Sequence, residues 1–147
     1  MHERNFILCL YGAEIYGFVH RTFLEFFCAS EFFELIIEQQ TLSISDFCQE
    51  ILSNNWQDPI WNEVIRLLAG RLNEKFTAEI IRYLTNINVN YNFHKDELQR
   101  LKRSGVDNII FAAELLNEVR NRLPIYKTVN DLLETIKKLS QENLHIR

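Results

Sequence analysis

The residues best suited to chemistry stand at the start of a Phe-rich segment. His20 comes directly before a stretch whose pattern predicts a helix, and Arg21 is the first residue of that stretch. A helix N-terminus presents free backbone N–H groups and the positive end of the helix dipole, and both favour anions. A histidine and an arginine at this place would suit a phosphate. The alternative, a local capping or hydrogen-bonding role for His20, stays open beside it.

A second candidate is a nucleophilic pair formed by Cys28 and His20. The two residues are eight positions apart, which is more than two turns of a helix and too far for proton transfer between the side chains. The neighbours of Cys28 are Phe and Ala residues. We therefore predict that Cys28 is a buried core thiol with a high pKa.

Sequence motifs for other kinds of active site are absent. The chain has four glycines and no G-x-x-x-x-G-K-[ST] phosphate-binding loop, and it has neither a C-x-x-C nor an H-x-x-x-H pair. The four histidines are scattered: His2, His20, His94 and His145. We expect no catalytic site, no metal site and no cofactor held by these residues alone.

The composition is that of an ordinary globular protein. Hydrophobic residues make up 47% of the chain and charged residues 24%, which argues against disorder. A net charge of -4 lacks the basic footprint that nucleic-acid binding requires. The basic cluster at residues 100–103 is offset by Asp96 and Glu97 and is typical of a solvated helix face. Nucleic acid is therefore not an expected partner.

Cysteine usage and hydropathy predict the compartment. The three cysteines are odd in number and widely spaced, and no secretory hydrophobic segment accompanies them. The longest apolar stretches are interrupted by charged residues such as Glu25, Glu31 and Arg66, and so fall short of the roughly 20 residues needed to cross a bilayer. We expect a cytoplasmic protein without a membrane contact.

The elements that must position His20 are a β-hairpin and a long helix. Residues 5–19 are β-rich and split by Gly12, which predicts the hairpin. Thr22 and Glu25 form a capping-box pattern that opens a helix over 21–40. The helix carries two apolar stripes, one of Phe23, Phe26, Phe27, Phe33 and Ile37, and one of Leu24, Cys28, Phe32, Leu35 and Ile36. A helix that is apolar on two sides needs cover from a second copy or from another domain.

The rest of the chain predicts further amphipathic helices. Asp58 and Pro59 are a strong helix start, and Thr128 with Asp131 resembles a capping box. The expected helices cover 43–54, 58–72, 77–84, 95–104, 107–122 and 128–139. Residues 86–93 are either a strand or an Asn-rich connector. The predicted fold class is mainly α, with an N-terminal β-hairpin followed by an array of helices.

Two similar apolar pairs suggest an internal repeat. Val64-Ile65 and Ile109-Ile110 are 45 residues apart, and each pair belongs to a predicted helix that is followed by a second amphipathic helix. This spacing falls within the roughly 40 to 47 residues of HEAT or armadillo units. A HEAT-like antiparallel array and a nonrepeating bundle are both compatible with the pattern.

Residues 16–29 resemble a family signature. The stretch Phe18-Val19-His20-Arg21-Thr22-Phe23-Leu24-Glu25-Phe26-Phe27-Cys28-Ala29 resembles the motif F-x-H-x-x-F-x-E-[FY]-F-x-A, which ends the winged-helix domain of NACHT-type STAND NTPases, especially bacterial and cyanobacterial ones. Residues 56–70 and 108–119 are similar to the helical segments that follow this domain.

The resemblance implies a nucleotide-dependent switch. In that family a P-loop module binds and hydrolyses ATP, the winged helix closes over ADP, and a histidine matching His20 can contact the β-phosphate. Residues 1–40 would be the end of a winged-helix-like domain, with the hairpin as a remnant of the wing. Residues 41–147 would be a helical, HEAT-like region that senses or scaffolds. The implied roles are bacterial defence and signalling.

The sequence therefore predicts a noncatalytic regulatory and interaction region of such an NTPase. Its partner would be the P-loop module, which these residues lack, and ADP or ATP would be bound in the parent protein. The expected contact residues are His20 and, more weakly, Arg21 for nucleotide, and Phe23, Phe27, Phe32 and Trp61 for protein interaction. One alternative is a self-contained helical module that forms a homo-oligomer through the Phe-rich helix. Another is a winged-helix nucleic-acid binder.

Overall fold

The computed structural model describes residues 8–10, 16–87 and 106–144. These residues are mainly helical, which confirms the mainly α part of the predicted fold class. The elements in chain order are β1 (Leu8–Leu10), β2 (Tyr16–Phe18), α1 (Arg21–Phe33), α2 (Ile44–Asp46), α3 (Ser53–Asn55), α4 (Pro59–Ala69), α5 (Glu74–Asn86), α6 (Asp107–Leu115) and α7 (Tyr126–Leu144). The predicted helix 95–104 and most of the connector 86–93 lie outside the described residues.

The two strands bring the chain to the start of α1. They pair antiparallel, with Leu8 opposite Phe18, Cys9 opposite Gly17 and Leu10 opposite Tyr16. Residues 11–15, where the turn of the predicted hairpin would lie, are outside the described part of the chain. Two strands alone are marginal in water, so the pair needs the support of α1.

Helix α1 begins at the predicted place but not by the predicted cap. His20 occupies the N-cap position with an extended backbone (φ −123°, ψ 133°), and no side chain caps the helix. The predicted capping box of Thr22 and Glu25 is wrong because Thr22 already lies inside the first turn. The carboxylate of Glu25 instead accepts a charge-assisted hydrogen bond from Nε of Arg21, one turn earlier. This bond satisfies Glu25, which is only 6% exposed.

The apolar side chains of α1 divide around the helix. The helix continues as a π-helix over Glu34–Glu38, and Glu25, Ala29 and Ile36 are buried along one face. Phe26 and Phe27 lie outside this face and are about half exposed. Because α4, the helix that packs on α1, can cover only one side, the predicted stripe that contains Phe26 and Phe27 is not covered as a whole.

Local sequence signals correctly predicted where α2 and α4 begin. The Ser43 hydroxyl accepts a hydrogen bond from the Asp46 amide at 3.1 Å and caps α2, which continues as a π-helix over Phe47–Leu52. The Asp58 carboxylate accepts from the amide of Ile60 at 2.8 Å, at the start of α4. These residues satisfy N–H groups that a helix start leaves free.

The C-terminal helices differ from the predicted ones. Helix α6 ends at Leu115 and does not reach residue 122. Pro124 does not end a helix but lies in the first turn of a 3₁₀ segment, Leu123–Ile125, that leads directly into α7. The predicted capping box at Thr128 is therefore wrong, because Thr128 lies inside α7 and is only 6% exposed.

One hydrophobic core joins α1 to the helices that follow. It includes Ala29 and Ile36 as well as fully buried residues of α4, α5 and α6, so the packing is continuous across the predicted domain boundary at residue 40. Asn108 of α6 donates a hydrogen bond from Nδ2 to the Leu84 carbonyl oxygen at 2.8 Å and ties α6 to the end of α5. No described helix is long and apolar enough to span a membrane.

The two thiols with described side chains differ in burial. Cys28 is partly buried, not fully buried as predicted. Its pKa is raised mainly by burial and to a smaller extent by the negative charge of the nearby Glu31. Cys48 is 4% exposed, and burial together with Glu79 raises its pKa to about 12. Both groups are free thiols. Neither has the lowered pKa of a catalytic cysteine.

Selective alkylation tests this difference. At pH 8 a thiol of pKa about 12 is thiolate in only about one molecule in 10⁴, and buried Cys48 is also shielded from reagent. We expect iodoacetamide to modify Cys48 at least about tenfold more slowly than Cys28 in the folded chain, and both equally in urea. Peptide mass spectrometry measures the two rates, and equal rates in the folded chain would contradict the packing around Cys48.

Candidate docking face

Helix α1 presents an exposed apolar surface at its N-terminal half. Leu24, Phe26 and Phe27 are 45 to 48% exposed, and Val19 just before the helix is 39% exposed. We call these four residues the aromatic face. Large apolar side chains that cluster on a surface mark interaction sites more often than isolated ones do.

The aromatic face is held in place by β2. The ring of Phe27 stacks on that of Phe18, with centroids 5.7 Å apart, and the ring of Phe26 meets Phe27 edge-on at 5.7 Å. Leu8, which pairs with Phe18 across the strands, is 47% exposed and adds to the apolar surface. Rings fixed in this way lose little conformational freedom when a partner covers them.

Arg71 borders this face from another part of the chain. Its guanidinium carbon lies 4.6 Å from the ring centroid of Phe33 and 5.8 Å from that of Phe26. Its Nη1 donates a hydrogen bond to Oγ of Ser30 at 2.5 Å. Arg71 follows α4 in sequence, so these contacts fix the end of α4 against α1. Cation–π pairs of this kind contribute about 0.5–1 kcal/mol at exposed sites.

His20 and Arg21, the predicted nucleotide contacts, lie at the start of α1 and are both exposed. The His20 ring lies beside Phe23 at 6.2 Å, and within the described residues its side chain has no hydrogen-bond partner. The guanidinium of Arg21 is held by the Glu25 carboxylate, which offsets its charge. Of the two residues, His20 is the better placed to meet a ligand group.

The predicted protein-interaction residues fall into two groups. Phe27 lies on the aromatic face and Phe23 is partly buried next to it. Phe32 and Trp61 are partly buried and pack on each other, with ring centroids 6.0 Å apart, and Phe32 also meets the buried ring of Phe47 at 5.1 Å. The second group therefore supports α1 from the core side.

Sequence reasoning missed two parts of this site. Leu24 and Phe26 were placed on the two apolar stripes that need cover, but nothing local shows which members of each stripe α4 leaves exposed. Arg71 was not a candidate, because its aromatic partners on α1 are about forty positions away along the chain. The exposure of Leu24 and Phe26 and the contacts of Arg71 can both be predicted only when the packing of α4 on α1 is known.

The described geometry offers a binding surface. No group of three or more His, Cys, Asp or Glu side chains is arranged to hold a metal ion in residues 8–10, 16–87 and 106–144. The aromatic face combines an apolar centre with His20 at one end and Arg71 at the side, the composition of a protein interface with a polar rim. Comparison of the chain with protein-family models, with curated proteins and with solved structures finds no match.

Proposed function

We propose that this chain is the noncatalytic regulatory and interaction region of a NACHT-type signalling or defence NTPase that acts in the cytoplasm. In this proposal the aromatic face docks on the P-loop module of the parent protein, and α4 to α7 form a HEAT-like scaffold for a partner. The observation that carries the proposal is the exposure of Leu24, Phe26 and Phe27 within the segment that resembles the family signature.

The free energy that burial of the aromatic face would contribute to docking is of the size that a reversible switch needs. Burying one large apolar side chain contributes about 1.5–3 kcal/mol relative to full exposure, and the three residues of α1 are about half exposed. Together they supply on the order of 2–5 kcal/mol on docking. A difference of this size can shift a two-state equilibrium strongly without locking it.

His20 links docking to the nucleotide in this proposal. Its exposed side chain stands at the N-terminus of α1, on the same segment as the aromatic face. When the face is docked, the imidazole would donate a hydrogen bond to a phosphate oxygen of ADP. Loss of that contact on exchange for ATP would release the region and permit oligomerisation.

The coding sequence that precedes Met1 tests the proposal first. We expect it to encode, in the same reading frame, a P-loop module with a G-x-x-x-x-G-K-[ST] motif. That module, purified, should bind this chain more tightly with ADP than with ATP in isothermal titration calorimetry. A gene without a P-loop, or equal binding with both nucleotides, would refute the proposal.

The alternative function is a self-contained module that dimerises through the Phe-rich helix. The same exposure of Leu24 and Phe27 favours it, because a second copy could cover these residues. Light scattering of the chain across micromolar concentrations decides between the two. A dimer that Phe27→Lys dissociates would support this alternative, and a monomer throughout would exclude it.

A further inference from the structure

A second surface runs along the outer side of α5, and it does not involve the aromatic face. Two adjoining cavities, of about 420 and about 400 Å³, both include Glu79 and Arg82 in their linings. The two cavities follow one another along α5, with Glu79 and Arg82 between them, and we call them together the α5 groove. The α2 segment forms one wall through Ser45 and Gln49, and the start of α7 forms the other through Lys127 and Thr128.

The length of this α5 groove fits a short extended peptide. Its floor extends from Lys75 to Asn86, which at 1.5 Å per helical residue is about 16 Å. An extended chain rises about 3.3 Å per residue, so about five peptide residues match this length. Each cavity alone is within the range of about 300–1,000 Å³ that is typical of ligand sites.

The charge of the groove favours an acidic occupant at one end. Three cations, Lys75, Arg82 and Lys127, line the cavity near α7 together with two carboxylates, Glu79 and Asp131. The cavity is thus net positive on a chain of net charge -4. Within the described residues none of the three cations has a carboxylate oxygen within 4 Å, so their charges are free to meet a ligand.

A threonine hydroxyl is available in the same cavity. Thr128 is 6% exposed and lines the cavity, and its Oγ1 makes no hydrogen bond with any described residue. Within a helix such a hydroxyl usually bonds to the carbonyl four residues earlier, as Thr135 does to Asp131 at 2.9 Å. The Thr128 hydroxyl can therefore donate a hydrogen bond to a group that enters the cavity.

The other end of the groove carries side-chain amides. Asn86 donates from Nδ2 to the Arg82 carbonyl oxygen, and Gln49 donates from Nε2 to Ser45 Oγ. These bonds leave the carbonyl oxygens of both amides able to accept further hydrogen bonds. Backbone N–H groups of an extended peptide are suitable donors.

We propose that the α5 groove binds an extended acidic peptide segment of about five residues from a partner protein. Its carboxylates lie between Arg82, Lys75 and Lys127, and one of them accepts a hydrogen bond from the Thr128 hydroxyl. Its backbone donates to Asn86 and Gln49. The inference rests on the scaffold part of the proposed function and names the chemistry of the partner.

Fluorescence anisotropy with three labelled hexapeptides tests the groove. One peptide alternates aspartate with alanine, one serine with alanine, and one lysine with alanine. We expect the acidic peptide to bind at least tenfold more tightly than the other two, with an affinity that falls as salt is added. Arg82→Glu should weaken it at least tenfold. Lys138→Glu, the same charge change outside the groove, should change it less than twofold.

Thr128→Val removes the hydroxyl at nearly constant shape. We expect acidic-peptide binding to weaken about threefold or more while the melting curve is retained. Equal binding of the three peptides, no binding at all, or equal effects of Arg82→Glu and Lys138→Glu would overturn the proposal. Displacement of the labelled acidic peptide by inorganic phosphate at an equal affinity would also overturn the proposal, because it would indicate a site for a free anion.

The peptide test is separable from the test of docking. Phe27→Lys changes the aromatic face and leaves the groove intact, so it should not alter acidic-peptide binding. Peptide binding that is lost in Arg82→Glu and retained in Phe27→Lys supports the groove, even if the parent gene lacks a P-loop. A peptide affinity that Phe27→Lys lowers as strongly as Arg82→Glu does would contradict the proposed site.

Discussion

Replacing Phe27 by lysine is expected to weaken the proposed docking on a P-loop module by roughly 30-fold or more, which corresponds to about 2 kcal/mol. The ring of Phe27 is 45% exposed and already fixed by its stack on Phe18. A rigid aromatic side chain at the centre of an apolar surface is the usual anchor of an interface. Lysine removes that ring and places a charge where the partner would exclude water.

Calorimetric titration with the ADP-bound module measures this effect. The control is Leu123→Lys, which introduces the same charge at a side chain that is 81% exposed and distant in sequence from α1. We expect the control to bind like the unchanged chain. Because Phe27 is half exposed, its replacement should change the free energy of unfolding by only about 1 kcal/mol. Unchanged affinity of the Phe27→Lys variant would show that the aromatic face is not the docking surface.

Replacing Phe47 by alanine is expected to lower the free energy of unfolding by about 3–5 kcal/mol. Phe47 is fully buried, and its ring meets Phe32 of α1 edge-on at 5.1 Å. The substitution leaves a cavity between α1 and the segment around α2. Since domains of this size are stable by only about 5–15 kcal/mol, the loss is a large fraction of the total.

Urea unfolding followed by circular dichroism measures the loss. The control Tyr126→Ala removes an aromatic ring that is 68% exposed, and we expect it to change stability by less than about 0.5 kcal/mol. A loss below about 1 kcal/mol for Phe47→Ala would mean that the core does not join α1 to the helices after residue 40.

Local features were predicted well because their causes are local. Asp58 with Pro59, and Ser43, satisfy or remove the free N–H groups of a helix start, and these signals depend on a few adjacent residues. The start of α1 was also placed correctly. Its cap was not, because the Glu25 carboxylate bonds to Arg21 and not to a backbone amide.

Features that depend on packing were not predictable. Periodicity alone treats Phe27 and Phe33 alike, yet Phe33 packs on the core beside Arg71 and Phe27 is half exposed. The end of α6 at Leu115 and the continuous entry into α7 through Pro124 were likewise not predicted. The α5 groove combines side chains from three separated segments, so no local motif indicates it.

The dissociation constant of ADP from the full parent protein tests the central claim most directly. Removal of a hydrogen bond to a charged group costs about 1.5–3 kcal/mol. We predict that His20→Ala raises this constant at least about tenfold and changes the constant for ATP less than twofold, while Arg120→Ala changes neither. An ADP affinity that His20→Ala leaves unchanged would contradict a region that closes over the nucleotide.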